Sequence, residues 1–149
     1  MSLQQQVMEE IKTAMKAKDK VALESLRAIK SALLLLQTET GSGEEITEEA
    51  EIQLVQKLVK QRKDSAAIFL KQGRNDLAEP ELAQVAIIEK FLPTQLTEEE
   101  IEKVVIKAIE TTGADGMKDM GKVMGIVSKD LAGQADGKTI SMIVKKKLS

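Results

Sequence analysis

The residues whose types and spacing best suit ligand binding lie in DMGKVMGIVSKDLAGQADG, residues 119–137. This stretch has helical apolar spacing, yet it places Gly121 and Gly125 one helical turn apart. Each glycine costs roughly 0.8–1 kcal/mol relative to alanine inside a helix, so the pair indicates that something approaches the backbone closely. Either another helix packs on the glycines, or a ligand such as a phosphate backbone lies against them.

A helical wheel at about 100° per residue places a stripe of small residues between an apolar stripe and a set of lysines. The small residues are Gly121, Gly125, Ser128 and Ala132. The apolar residues are Met117, Met120, Met124, Val127 and Leu131, and the lysines are Lys118, Lys122 and Lys129. The neighbouring apolar stripe favours helix packing. The lysines favour the second interpretation, a shallow trough for a phosphodiester backbone.

The C-terminal part of the chain is more basic than the whole. Residues 111–149 contain seven lysines and four aspartates, a net charge of +3, whereas the complete chain carries −2. Candidates for phosphate contact are Gly121, Gly125, Lys118, Lys122, Lys129, Lys138, Lys145 and Lys146. Lysines in a last helical turn also complement the helix dipole, so both roles remain open for the final lysines. Phe69 and Phe91 are the only aromatic residues and have core-like spacing, so an RNA partner would be recognised by shape and backbone rather than by stacking.

The composition argues against catalysis by this chain alone. Without cysteine or histidine it lacks thiolate metal ligands, nucleophilic thiols and the commonest general base. A phosphate-binding loop of the G-x-x-x-x-G-K-[ST] type is also missing. We therefore expect no catalytic residue, no metal site and no cofactor. The acidic Glu9 and Glu10 near the start, and apolar runs too short for a membrane, predict a cytoplasmic protein.

Helical periodicity continues through most of the chain and predicts an all-α fold. Apolar residues step by three and four along 22–36 and 52–69, which predicts an antiparallel helix pair separated by Gly41, Ser42 and Gly43. Three shorter helices are predicted at 98–111, about 117–132 and 137–148. Thr47 and Asp136 are the expected N-caps of the helices that follow them.

A change of structural unit is predicted at Pro93. Proline disfavours helical geometry at the preceding residue, and Thr97 with Glu100 forms a capping box just beyond it. Leu96 and Ile101 are spaced as the matching hydrophobic staple. The sequence thus predicts a helical N-terminal unit, residues 1–92, and a three-helix tail unit, residues 93–149.

Several motifs together carry a resemblance to a known family. They are LRAIKSAL, VQKLVKQRKDSAAIF, GRNDLAEPE, IIEKFLPTQLTEEEI and MGKVMG followed by GQADGKTISMIVKKKL. In this order and spacing they resemble the GatB/YqeY family over essentially the whole chain. The resemblance implies kinship with the C-terminal, tRNA-binding part of the B subunit of glutamine-dependent aminoacyl-tRNA amidotransferase. It also implies that ATP use and amide transfer belong to a separate catalytic domain, to which nothing in this chain corresponds.

The resemblance marks two groups of family-pattern positions without making any of them catalytic. In the tail these are Gly121, Lys122, Gly125, Ala135 and Asp136, and in the helical unit they are Arg62, Lys63, Asp64, Arg74 and Asp76. Arg62, within an apolar stripe, is either a partly buried ion-pair residue orienting the two units or an exposed interface anchor. The structural role is favoured, because an arginine stem packs well at a helix seam.

Three functional hypotheses follow. The first is an accessory tRNA-associated binding module that acts alone or beside an aminoacylation or amidotransferase protein. The second is a helical protein-interaction adaptor whose tail is structural. The third is carbon–nitrogen ligase activity with glutamine as amido donor, present only in complex with a catalytic partner. None of them involves a membrane.

Overall fold

Every regular element in the described residues, 2–41 and 45–149 of this computed structural model, is helical. These ranges contain α1 (Leu3–Ala17), α2 (Lys20–Thr40), α3 (Glu48–Lys71), α4 (Asn75–Ile88), α5 (Glu98–Thr112), α6 (Met120–Asp130) and α7 (Gly137–Leu148). Short 3-10 turns occupy Glu89–Phe91 and Met117–Asp119. The all-α prediction is confirmed. Ser42 and Gly43, predicted to interrupt the helices, lie outside the described residues.

The chain forms two compact units, Met1–Leu92 and Pro93–Ser149. The first unit contains α1 to α4, and its core consists of apolar residues that recur at helical spacing. These are Leu3, Val7, Ala14, Leu26, Ile29, Leu33, Val55, Val59, Val85 and Ile88. Thr47 caps α3 as predicted, since its side-chain oxygen accepts a hydrogen bond from the Ala50 N–H at 3.1 Å.

Helix pairing in the first unit differs from the expected pairing of α2 with α3. The turn through Gly73, which has φ of 72°, returns the chain so that α4 packs along α3. α3 therefore makes most of its helix contacts with α4 and few with α2. Ala78, Val85 and Ile88 of α4 are buried. Apolar spacing within α2 and α3 could not show that α4, rather than α2, would pack along α3.

The second unit packs α5, α6 and α7 around a separate core. Its buried residues are Ile101, Val105, Ala108, Val123, Val127, Leu131, Ala135, Ile140, Val144 and Leu148. The predicted capping box is confirmed: Thr97 Oγ1 accepts from the Glu100 N–H at 3.2 Å, and Glu100 Oε1 accepts from the Thr97 N–H at 3.3 Å. Asp136 caps α7 by accepting from the Thr139 N–H at 2.6 Å.

The middle helix of this unit is shorter than predicted. Met117 lies in a 3-10 turn and is 43% exposed, and Ala132 lies beyond the end of α6. A 3-10 turn has about 3 residues per turn instead of about 3.6, so Met117 leaves the apolar register that a continuous helix would give it. Val123, which the predicted stripe omitted, is fully buried instead.

Candidate nucleic-acid interface

The glycine face of α6 is open. Gly121 and Gly125 are both exposed, and a Cβ atom built on either would meet no atom within 4 Å apart from the adjoining residues and backbone of its own helix. Neither glycine has the positive φ that would by itself require this residue type. Within the tail unit, no other helix packs on these glycines, so the packing interpretation is wrong for the helices of that unit.

The core-facing side of α6 explains why the glycines point outwards. Val123 and Val127 are fully buried, while Met120 and Met124 are half-buried beside them. Gly121 lies two residues before Val123, which places it about 160° away around the helix axis. Gly125 has the same relation to Val127. The two glycines thus lie on the side of α6 that faces away from these valines.

All six candidate lysines of the tail unit are exposed. They are Lys118, Lys122, Lys129, Lys138, Lys145 and Lys146, and none forms an ion pair with a described residue. Lys147 differs from them because its Nζ pairs with Glu102 Oε1 of α5. That hydrogen bond and the nearby ammonium charge hold the pKa of Glu102 below its ordinary value. Lys147 therefore has a structural partner, whereas the other lysines remain available to an anionic ligand.

Helical spacing sorts these lysines into two local sets. Lys122 and Lys129, seven residues apart on α6, share a side of that helix, and Lys118 lies in the preceding 3-10 turn. On α7, the exposed residues Lys138, Met142, Lys145 and Lys146 follow i, i+4, i+7 and i+8 spacing. The opposite side of α7 is buried through Ile140, Val144 and Leu148. Each helix thus presents ammonium groups to solvent from a rigid, core-anchored position.

The tail unit contains no aromatic residue, because Phe69 and Phe91 both belong to the first unit. Its exposed lysines can neutralise phosphates, but no ring in this unit can stack on a base. Asp119 and Asp136 are engaged locally: Asp119 Oδ2 accepts from the Asp115 N–H at 2.9 Å, and Asp136 caps α7. Asp136 therefore has a structural role that accounts for its residue type.

Arg62 is held by hydrogen bonds inside the first unit. Its Nε donates to Gln84 Oε1 at 2.8 Å, and its Nη1 donates to the Leu58 carbonyl at 3.0 Å. Gln84 Nε2 in turn donates to Glu24 Oε2 at 3.4 Å, so the network joins α2, α3 and α4. Arg62 is partly buried as suggested, but its partners are a side-chain amide and a backbone carbonyl and not a carboxylate. Periodicity alone cannot tell these kinds of partner apart.

The remaining candidates of the first unit also have local partners. Lys63 pairs with Glu89 at 3.0 Å, and Asp64 lies 3.9 Å from Lys60 on an exposed helix face. Arg74 donates two hydrogen bonds to the Asp76 carboxylate, at 3.0 and 2.9 Å. This pairing raises the pKa of Arg74 and lowers that of Asp76. Local ion pairs therefore explain why each of these positions carries a charged residue. The four residues do not form a common site within the first unit.

A cavity of about 420 Å³ lies in the first unit, between α1, the start of α2 and the end of α4. Its lining includes the carboxylates of Glu9, Glu10 and Asp19 against one ammonium, Lys90. Phe91 and several aliphatic side chains complete the lining. The excess of negative charge makes this cavity unsuitable for phosphate. Sequence reasoning missed it because three separate helices contribute its walls.

The described residues offer neither a metal site nor a membrane-spanning helix. No group of three or more acidic side chains among them is placed to hold a metal ion. No helix in the same ranges has the length and apolar character needed to cross a membrane.

Comparisons with known proteins agree with the sequence motifs. A family model described as "Yqey-like protein" matches residues 4–148. "Altered inheritance of mitochondria protein 41, mitochondrial" of Pyrenophora tritici-repentis is 32% identical over 130 residues, which cover 85% of this chain and 69% of that protein. The protein of the same name from Clavispora lusitaniae is 33% identical over 126 residues, covering 83% and 72%. A glutamyl-tRNA(Gln) amidotransferase subunit of Thermococcus gammatolerans is 37% identical over 73 residues, which cover 46% of this chain and 12% of that protein.

Proposed function

Because the chain belongs to the Yqey-like protein family, we propose that it is an accessory tRNA-associated binding module without a catalytic site of its own. The similarity to a tRNA amidotransferase component supports this class of function. That match covers a small share of the larger protein, so amide transfer is not carried over to this chain. Any carbon–nitrogen ligase activity, with glutamine as amido donor, would require a catalytic partner.

The observation that carries the proposal is the exposed side of α6. Gly121 and Gly125 leave bare backbone there, and no packing contact within the tail unit accounts for them. Lys122 and Lys129 supply unpaired ammonium groups beside this face, and Lys118 adds one from the preceding 3-10 turn. Bare backbone allows a phosphate chain to approach closely, and the ammonium groups neutralise it.

The lysines of α7 extend the proposal to a second helix. Lys138, Lys145 and Lys146 are exposed and unpaired among the described residues, so they offer further contacts to a folded RNA. Without an aromatic ring in this unit, binding would follow the path of the phosphates and tolerate changes of base sequence.

A titration of total tRNA against the full chain at several salt concentrations tests the proposal. The variant Lys118→Gln/Lys122→Gln/Lys129→Gln should bind more weakly and lose up to about 2–3 from the salt slope, since each neutralised phosphate contributes roughly 0.7–0.9. Its melting temperature should barely change, because these side chains are solvated.

The matched control removes the same charge elsewhere. Lys12→Gln/Lys16→Gln/Lys20→Gln changes three exposed lysines of the first unit and should leave the slope unchanged. Absence of tRNA binding by the wild-type chain at low salt would refute the proposal. Equal losses in the two triple variants would show that net charge, and not the α6 face, controls binding.

The acidic cavity of the first unit favours a second candidate, the protein-interaction adaptor. Glu9, Glu10 and Asp19 surround an apolar lining there, an arrangement suited to a basic segment of a protein. If the chain fails to bind tRNA while Glu9→Gln/Glu10→Gln abolishes binding to a protein partner, this second candidate replaces the first.

The place of action stays a prediction. The sequence predicts a cytoplasmic protein, whereas the names of the fungal relatives include the word mitochondrial. Fluorescence microscopy of the full chain, tagged at its C-terminus, would distinguish the two.

A further inference from the structure

A run of four leucines, residues 33–36, exceeds what the core of the first unit can bury. Four consecutive helical residues span about 300° around the axis, so they cannot all face one side. Leu33 is 3% exposed, as a core residue should be, but Leu34 is 47% exposed and Leu35 is 63% exposed. The tRNA proposal uses none of these residues, and adjacent exposed leucines matter only where they adjoin a larger apolar surface.

Leu35 lies at the edge of an apolar groove between α2 and α3. The groove has a volume of about 410 Å³ and exists because α3 packs chiefly on α4 and makes few contacts with α2. Its aliphatic lining, besides Leu35, consists of Ala32, Leu36, Ala50, Leu54 and Leu58. Leu34, the next residue of the same helix, is not part of the lining.

The groove also carries one charge of each sign. Glu39 from α2 and Lys57 from α3 line it, and both are exposed. Neither residue forms an ion pair within the described ranges. A partner surface that matches this groove must therefore present an aliphatic side chain together with a positive and a negative group.

We propose that the occupant is a second copy of this chain, bound about a two-fold axis. In such an isologous interface residue i contacts residue j of the partner, and j contacts i. Leu35 of each copy then enters the groove of the other, and Glu39 of each copy pairs with Lys57 of the other. The same surface thus supplies the aliphatic side chain and both charges, which makes it complementary to itself.

This dimer is independent of the proposed tRNA function, because every residue involved lies in the first unit and none is a candidate RNA-binding lysine. Removing the tail lysines should leave dimerisation intact. Failure of tRNA binding therefore does not bear on the dimer, and failure of the dimer does not bear on tRNA binding.

Sedimentation of the full chain over a range of concentrations tests the proposal. We expect a reversible monomer–dimer equilibrium. Leu35→Gln should weaken association by roughly tenfold or more, since a leucine that would be desolvated in both grooves is lost. Leu34→Gln is the matched control, with the same substitution one residue away and outside the groove, and it should leave the equilibrium unchanged. Circular dichroism melts check that both variants remain folded.

Reversing the charge at Glu39 and at Lys57 in separate variants tests whether these two residues pair between copies. Glu39→Lys alone and Lys57→Glu alone should each weaken the dimer, because like charges then meet twice. Mixing the two variants should restore association, since the introduced lysine of one copy faces the introduced glutamate of the other, and the two unchanged residues also pair. If Glu39 and Lys57 instead attracted each other within one chain, mixing the two variants would not strengthen their association.

Three results would overturn the proposal. The first is a wild-type chain that stays monomeric at every concentration. The second is an equal loss of association in Leu34→Gln and Leu35→Gln. The third is a mixture of the two charge variants that associates no better than either variant alone.

Discussion

Arg62 of α3 donates a hydrogen bond from Nε to Gln84 Oε1 of α4 at 2.8 Å, while its Nη1 donates to the Leu58 carbonyl. Gln84 Oε1 lies in partly buried surroundings, where a missing donor is costly, whereas the Leu58 carbonyl also accepts the helical N–H of Arg62 itself. The guanidinium therefore joins the two helices that pack most extensively in the first unit.

Replacing this arginine should destabilise the first unit. Arg62→Met keeps much of the aliphatic stem but removes the donor to Gln84 Oε1 and the additional bond to the Leu58 carbonyl, and we expect a loss of about 1–3 kcal/mol in the free energy of unfolding. Urea denaturation followed by circular dichroism measures this loss. Arg74→Gln, at an exposed turn, should change stability far less, because its ion pair with Asp76 is solvated. Equal effects at the two positions would contradict a bridging role for Arg62.

The open face of α6 predicts that a glycine there limits stability. Gly125→Ala adds a methyl group to empty space in a helix and should raise stability by about 0.5–1 kcal/mol. Gly113→Ala is the matched comparison: its Cβ would also meet nothing, but its φ of 66° should make the change destabilising. Thermal melts of the two variants distinguish these signs. A destabilising Gly125→Ala would indicate that something packs on this face.

Gly125→Leu separates stability from binding. The open space around Gly125 should accommodate the larger side chain, and loss of a helix glycine should leave the melting temperature unchanged or higher, but the side chain would block a phosphate backbone. We therefore expect weaker tRNA binding with a melting temperature no lower than that of the wild type. Unaltered affinity in a folded variant would argue that RNA does not approach α6 at this position.

The pair Glu102–Lys147 predicts a pH dependence in the tail unit. Bonding to Lys147 lowers the folded-state pKa of Glu102 from its ordinary value of 4.5. The resulting stabilisation is fully present above pH 4.5 and is lost as the pH falls through the lowered pKa. Lys147→Gln should raise the pKa of Glu102 toward 4.5, as an NMR titration of its carboxyl carbon would measure. An unchanged titration would show that the pair does not persist in solution.

Separate compact cores predict that each unit folds alone. Fragments 1–92 and 93–149 should retain helical circular dichroism and melt cooperatively, the tail fragment with low stability because of its small size. A fragment without a cooperative transition would show that its core depends on the other part of the chain.

The sequence alone determined the helical class and the principal helix starts. Apolar residues at helical spacing specify which side of a helix is buried, and the caps at Thr47, Thr97 and Asp136 act on N–H groups within the next turn. Such interactions are local, so residue types and spacing are enough to predict them. The start of α6 was predicted wrongly because a 3-10 turn and an α-helix differ by a fraction of a residue per turn.

Only the tertiary structure decided which surfaces remain open. Spacing could not show whether Gly121 and Gly125 are covered, because that depends on where α5 and α7 lie around α6. Nor could it show that α3 would pack on α4 and leave a groove beside Leu35. The same holds for Lys147, whose partner Glu102 is on another helix, while Lys145 and Lys146 remain unpaired among the described residues. Several faces of a helix can look alike in the sequence, and contacts between segments far apart along the chain determine which of them are covered. Residues on covered faces are structural, and residues on open faces remain available for binding.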